Sequence, residues 1–170
     1  MVTVSPSGNT TAAVTYTPIA TTTFSGSTAT LDFTSISGYT DLILVINGSL
    51  ASDQRFCLRF NSDTGSNYSY TRIYGEGSSA VSNRESSLSY AFVSGGDNTN
   101  WNTYIVQIMN YSNATTYKSL LHRANDAASQ VTAAVNLWRS TSAITTVTLF
   151  SLSGANFTSG TMATLYGIGA

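Results

Sequence analysis

The chain has 170 residues with 7 Lys and Arg against 8 Asp and Glu, a formal net charge of -1 and only 9% charged residues. Phosphate neutralisation needs a concentrated set of cations, so nucleic acid is excluded as the expected partner. Ser and Thr number 26 each, one Cys and one His are present, and 42% of residues are hydrophobic; the sequence therefore reads as a folded, hydroxyl-rich domain with neither a disulfide framework nor a zinc cluster.

In chain order, residues 1–18 (MVTVSPSGNTTAAVTYTP) hold both prolines and little patterning, and read as an extended arm ahead of one domain over 19–170. No basic leader with an apolar stretch is readable in the arm. Val2, Val4 and Tyr16 would be wasted on solvent, which points to an arm that orders on a neighbouring subunit. Candidate strands follow at Ile19 to Phe24, Thr28 to Phe33, Asp41 to Gly48, Arg55 to Phe60, Tyr68 to Tyr74 and Leu88 to Val93. Five more lie at Thr103 to Asn110, Thr116 to Arg123, Val131 to Trp138, Ile144 to Leu152 and Thr161 to Tyr166. Each is a short run of β-branched and aromatic residues bounded by Gly, Asn, Asp or Ser. With no long segment of 3.6-residue period between them, the expected fold is all-β, an antiparallel β-sandwich of jelly-roll-like type.

The longest apolar run, Leu42 to Ile46, is far short of the roughly 20 residues of a membrane helix. It reads instead as a mid-sheet strand covered on both sides. In Arg55 to Phe60, Phe56, Leu58 and Phe60 share one face, expected to be the core, and Arg55, Cys57 and Arg59 share the other.

Chemistry is hard to place on this chain. His122 is the single imidazole and no G-x-S-x-G elbow occurs, so no nucleophile and base pair is marked out. The eight acids are scattered without the spacing of an acid and base pair. The Gly-rich stretches GEGSS (75–79) and SGGDN (94–98) lack the lysine and helix of a phosphate loop. No catalytic residue, cofactor or metal is expected. Six N-x-S/T triplets are about what 52 hydroxyl residues produce by chance, and carry no weight.

Two features point to binding. If Arg55 to Phe60 and Tyr68 to Tyr74 form a hairpin, Arg55 and Arg59 share an outer face with Tyr70, Arg72 and Tyr74, a Tyr/Arg combination suited to protein contacts. Trp101, in the Asn-rich stretch GGDNTNWNTY, is a candidate for stacking on a sugar, with Tyr68 and Tyr111 as further stacking candidates.

Four strings are distinctive: LRFNSDTGSNYSYTRIYG (58–75), IMNYSNATTYKSLLHR (108–123), LWRSTSAITTVTL (137–149) and TLYGI (164–168). Together they resemble a recurrent family of tailed-bacteriophage virion proteins, over most of the chain from about Ile19 to Gly169. The resemblance implies a β-sandwich found at the ends of tail fibres and as free-standing proteins that decorate or cement the capsid. With no fibre shaft or anchoring domain in the sequence, the expectation is a capsid decoration protein. It would be non-enzymatic and located on the virion, would bind the major capsid protein, and would assemble as a homotrimer. The alternative is a tail-fibre tip that recognises host glycans. Neither nucleic acid nor membrane is an expected partner.

Overall fold

The computed structural model describes residues 15–93, 98–126 and 129–169. Twelve strands run in order: β1 (Tyr16–Thr23), β2 (Thr30–Phe33), β3 (Asp41–Gly48), β4 (Phe56–Phe60), β5 (Tyr68–Gly75), β6 (Ala80–Leu88), β7 (Ala91–Phe92), β8 (Asn102–Ile108), β9 (Lys118–Asp126), β10 (Gln130–Trp138), β11 (Val147–Ser151) and β12 (Met162–Ile168). They form an eight-stranded sheet in the order β1-β12-β3-β8-β9-β10-β5-β6 and a four-stranded sheet in the order β2-β11-β4-β7. Every pairing is antiparallel, and early strands join late ones: β1 and β3 flank β12, while β2 and β4 flank β11. The chain thus folds back on itself, and the two sheets pack as the all-β antiparallel sandwich read from the sequence.

The core lies where the four-stranded sheet covers the larger one. Strands β3, β8 and β9 alternate strictly between buried and more exposed positions, as expected of a sheet with one covered face. Leu42, Leu44, Ile46, Tyr104, Val106 and Leu120 face inward from the large sheet and meet Phe56, Leu58, Phe60, Val147 and Leu149 of the small one. The Phe56 and Tyr104 rings lie 4.8 Å apart, and those of Phe60 and Trp138 5.4 Å apart. At the outer end of the large sheet, the Tyr39 ring lies against Gly167, where a Cβ would come within 2.2 Å of the ring. The glycine of TLYGI is therefore a packing requirement.

Three expectations are corrected. First, β3 is mid-sheet, but Ile43 and Val45 on its far face are only half-buried, because the small sheet covers one side alone. Second, β6 was not legible: AVSNRESSL has no apolar alternation, as befits an edge strand exposed along most of its length. Third, the hairpin joining Arg55–Phe60 to Tyr68–Tyr74 does not form, since β4 and β5 belong to different sheets.

The connection 61–67 instead carries the chain from one sheet to the other, and polar side chains fix it. Asn61 donates through Nδ2 to the Ala143 carbonyl at 2.7 Å, and its Oδ1 accepts from the backbone N–H groups of Thr145 and Thr146 at 2.9 and 3.1 Å. Asp63 accepts from Gly65 N, Asn67 Nδ2 and Trp138 Nε1 at 2.8, 2.9 and 2.7 Å. Arg139 donates to Ser69 Oγ and to the Ser66 carbonyl. The Phe60 N–H donates to the buried Tyr68 hydroxyl at 3.0 Å.

Candidate functional site

The uncovered face of the eight-stranded sheet carries exposed apolar side chains. Its strand registers place outward-facing residues in rows that cross the sheet. One row runs Tyr166, Ile43, Gln107, Leu121, Val135, Thr71; the next runs Thr164, Val45, Ile105, Arg123, Ala133, Ile73. Ile73 is 63% exposed, Leu121 48% and Val135 43%. Along the centre lies a shallow groove of about 620 Å³, bordered at one side by Tyr16 and Ile168.

Polarity is inverted on β10 and mixed on β9. Their inward face holds Lys118, His122, Asp126, Thr132 and Asn136, all buried, while Leu121, Val131 and Val135 point outward. The inward polar groups have partners. Asn136 Nδ2 donates to the Phe92 carbonyl at 3.0 Å and its Oδ1 accepts from Phe92 N–H at 2.9 Å. One side chain of the large sheet thereby satisfies the backbone of β7, the edge of the small sheet. Lys118 Nζ donates to the carbonyls of Thr116 and Thr141, and burial pushes its ammonium pKa down. Leu121, Val131, Val135 and Ile73 thus leave apolar side chains exposed across three neighbouring strands, interleaved with Arg123 and Thr71.

The face has a polar end. There Asn47, Thr103 and Asn125 lie in register, and Trp101, 54% exposed, donates from its indole nitrogen to Asn47 Oδ1. Asn47 Nδ2 donates to Thr103 Oγ1 at 2.9 Å, and Met162, 44% exposed, stands opposite Asn47.

A third region lies where the large sheet overhangs the small one. β7 is the edge of the small sheet, and its Phe92 ring stacks on Tyr70 with centroids 4.7 Å apart. The Arg72 guanidinium lies over the Phe92 ring at 5.0 Å and over the Tyr74 ring at 4.5 Å. Arg55 stands 5.6 Å from the same Phe92 ring. The Tyr70 hydroxyl donates to Glu85 Oε1 at 2.6 Å; burial and then that carboxylate push its pKa up to about 12.

The predicted site residues separate accordingly. Tyr70, Arg72 and Tyr74 do not share an outer face with Arg55 and Arg59, since Tyr70 is 2% exposed and turns toward the small sheet. Arg55, Tyr70, Arg72 and Tyr74 still converge, on the overhang around Phe92. Arg59 goes elsewhere, lying 4.5 Å over the Phe150 ring and donating to the Ser89 carbonyl. Tyr68 and Tyr111 are buried, one bonded to Phe60 N–H and the other to Tyr39 N–H, and are not available for stacking. Tyr16 is 54% exposed beside the open face. Val2, Val4 and the rest of the arm before Thr15 lie outside the described residues. Among the described residues no group of three or more His, Cys, Asp or Glu is placed to hold a metal ion. Cys57 is buried, and desolvation drives its thiol pKa well above the usual range.

No family model matches the chain, and no curated protein matches it. Among solved structures it is similar to the galectin LEC-6 of Caenorhabditis elegans, at 9% identity and a TM-score of 0.40, over 88% of this chain and 96% of that one. The residues of the open face were missed at the sequence level. Their signal was present in QVTAAVNLW, where Val131, Ala133, Val135 and Leu137 repeat with period two yet face outward, while in LLHRAND both faces carry a leucine and neither is marked as the core.

Proposed function

We propose that this protein is a non-enzymatic structural protein of a tailed-phage virion, a capsid decoration subunit that holds its place by adhesion. The open apolar face carries this reading, and its occupant is a second copy of the chain. Eight strands spaced ~4.8 Å apart and about seven residues long at ~3.3 Å each give a face on the order of 800 Å². A stable interface buries about 800 Å² per partner. With Arg123 as the charge at its centre, contact there rests on apolar burial, which salt screens little. The resemblance of the four sequence strings supplies the particle and the major capsid protein as scaffold.

Light scattering on purified protein tests the reading. Wild type is expected to run as a closed oligomer, and the double substitution Leu121→Asp and Val135→Asp to run as a folded monomer. A trimer, the state expected at threefold positions of a shell, places this face against a different patch of the next copy, whereas a dimer closes face to face. The measured mass separates the two. A monomeric wild type at every accessible concentration, or an oligomer untouched by the double substitution, would falsify the assignment of this face.

A second reading has its own observation: Trp101 offers an exposed ring, fixed by Asn47 at the polar end of the face and suited to stacking on a pyranose. A reproducible hit on a glycan array that disappears in Trp101→Ala would favour a host-glycan-binding fibre tip; a flat array removes it.

A further inference from the structure

The overhang around Phe92 has an imbalance that the fold does not use. Arg72 sits half-buried on β5, held over the Tyr74 and Phe92 rings. Its Nε is buried with no hydrogen-bond partner. Among the described residues no acceptor takes a bond from its guanidinium and no carboxylate stands within ion-pair distance. The nearby acid, Glu85, is engaged by the Tyr70 hydroxyl instead. Arg55, exposed just ahead of β4, adds a second guanidinium on the same Phe92 ring. Stacking on rings satisfies the faces of a guanidinium but not its N–H edge; with the Arg72 Nε shut away from solvent, the two Nη groups are the donors that can meet a carboxylate in a two-pronged fashion.

We propose that Arg55 and Arg72, on the overhang around Phe92, form a binding site for the carboxylate of an acidic segment on a partner protein. The surrounding surface suits such a segment: Tyr74, Tyr90 and Val81 supply amphipathic and apolar rims next to the charged centre, the composition of a contact hot spot. Two cations with no further basic residue in the cluster are too few to track a nucleic-acid backbone. The site lies on the opposite side of the large sheet from the open apolar face, so a subunit bound to its own copies through that face keeps the overhang free. The proposal extends the adhesive reading by naming a partner chemistry, and its test can fail while self-association stands.

The probe is a tetraglutamate peptide titrated into the full-length protein and followed by amide chemical shifts of β5 to β7, with inorganic phosphate titrated separately. Peptide binding is expected to weaken about tenfold or more in Arg72→Gln and in Arg55→Gln, as loss of a charge-assisted hydrogen bond implies. Arg72→Lys, which keeps the charge but loses the fork, is expected to recover part of the affinity. Arg55 is exposed, so Arg55→Gln keeps the test valid even if Arg72→Gln disturbs folding. Phosphate that displaces the peptide at the same residues identifies a general oxyanion site; phosphate without effect restricts the site to carboxylates. Peptide that fails to bind wild type, or binds both glutamine variants as tightly as wild type, overturns the proposal.

Discussion

The crossing between the sheets and the open face of the large sheet are opposites in how they are written. The crossing is built from the most distinctive strings in the chain. Asn61, Asp63 and Arg139 each make several bonds to backbone or to buried side chains, and Trp138 is 2% exposed. The open face is built from ordinary strand residues, Ile43, Ile105, Leu121 and Val135, at alternating positions. The distinctive residues hold the scaffold, and the undistinguished ones present the surface. Sequence specificity here tracks how many bonds a residue must satisfy at once, a demand that is highest where polar backbone is buried. A broad apolar contact asks only for hydrophobicity and size, so it leaves no string behind.

The crossing should therefore dominate stability. Asn61 accepts from two backbone N–H groups and donates to a third residue, and its backbone holds a left-handed φ of 50°. Asn61→Ala strips those partners and strains the turn, and is expected to cost about 3 kcal/mol, read as a lower urea midpoint at unchanged slope. A loss below about 0.5 kcal/mol would mean that the distinctive string has another purpose.

Asp63 gives a smaller effect with a pH signature. Burial raises its pKa, but bonds from Trp138, Asn67 and the Gly65 N–H outweigh burial and hold it below the usual carboxylate value. A carboxyl whose folded pKa is depressed contributes stability that is fully present above its unfolded pKa, near 3.9, and is lost as pH falls through the folded value. Between those values the unfolded chain binds more protons, so wild-type stability rises with pH there. Asp63→Asn keeps an acceptor but not the charge, and is expected to cost about 1 kcal/mol at neutral pH. The gap from wild type should narrow steadily below about pH 4. A gap independent of pH would remove the carboxylate's charge from the account.

The fold was legible because eleven of the twelve strands fall in β-branched and aromatic runs, β7 inside the run Leu88 to Val93, and β6 is the polar exception. β6 is an edge with nothing to bury on most of its length, and β7 is two residues whose backbone is completed by Asn136 from the other sheet. The site was less legible. Alternation fixes which residues share a face but not which face meets the core, and in β9 and β10 the set that faces inward mixes Leu120, Ala124 and Trp138 with Lys118 and Asn136, whose polar groups find buried partners there. The Arg/Tyr group follows from residue chemistry, but its geometry depends on a hairpin. Once β4 and β5 part into separate sheets, Arg59 leaves the group and Phe92 becomes the centre on which Arg55 and Arg72 meet.

The finest distinction is between two adjacent leucines. Leu120 is fully buried and Leu121 is 48% exposed on the other side of the same strand. Truncating Leu120 opens a cavity and is expected to cost about 2–5 kcal/mol. Leu121→Ser removes apolar surface that water already reaches in the isolated subunit, so its unfolding free energy should move by no more than about 0.5 kcal/mol, as for other surface positions. The oligomer should respond differently, because there the same side chain is covered. If Leu121 is an interface residue, Leu121→Ser leaves the dilute monomer unchanged and raises the concentration at which subunits associate. A stability loss in Leu121→Ser that is the same at every protein concentration would instead make the open face part of the monomer's own packing, and the contrast between scaffold and surface would fail at its most exposed point.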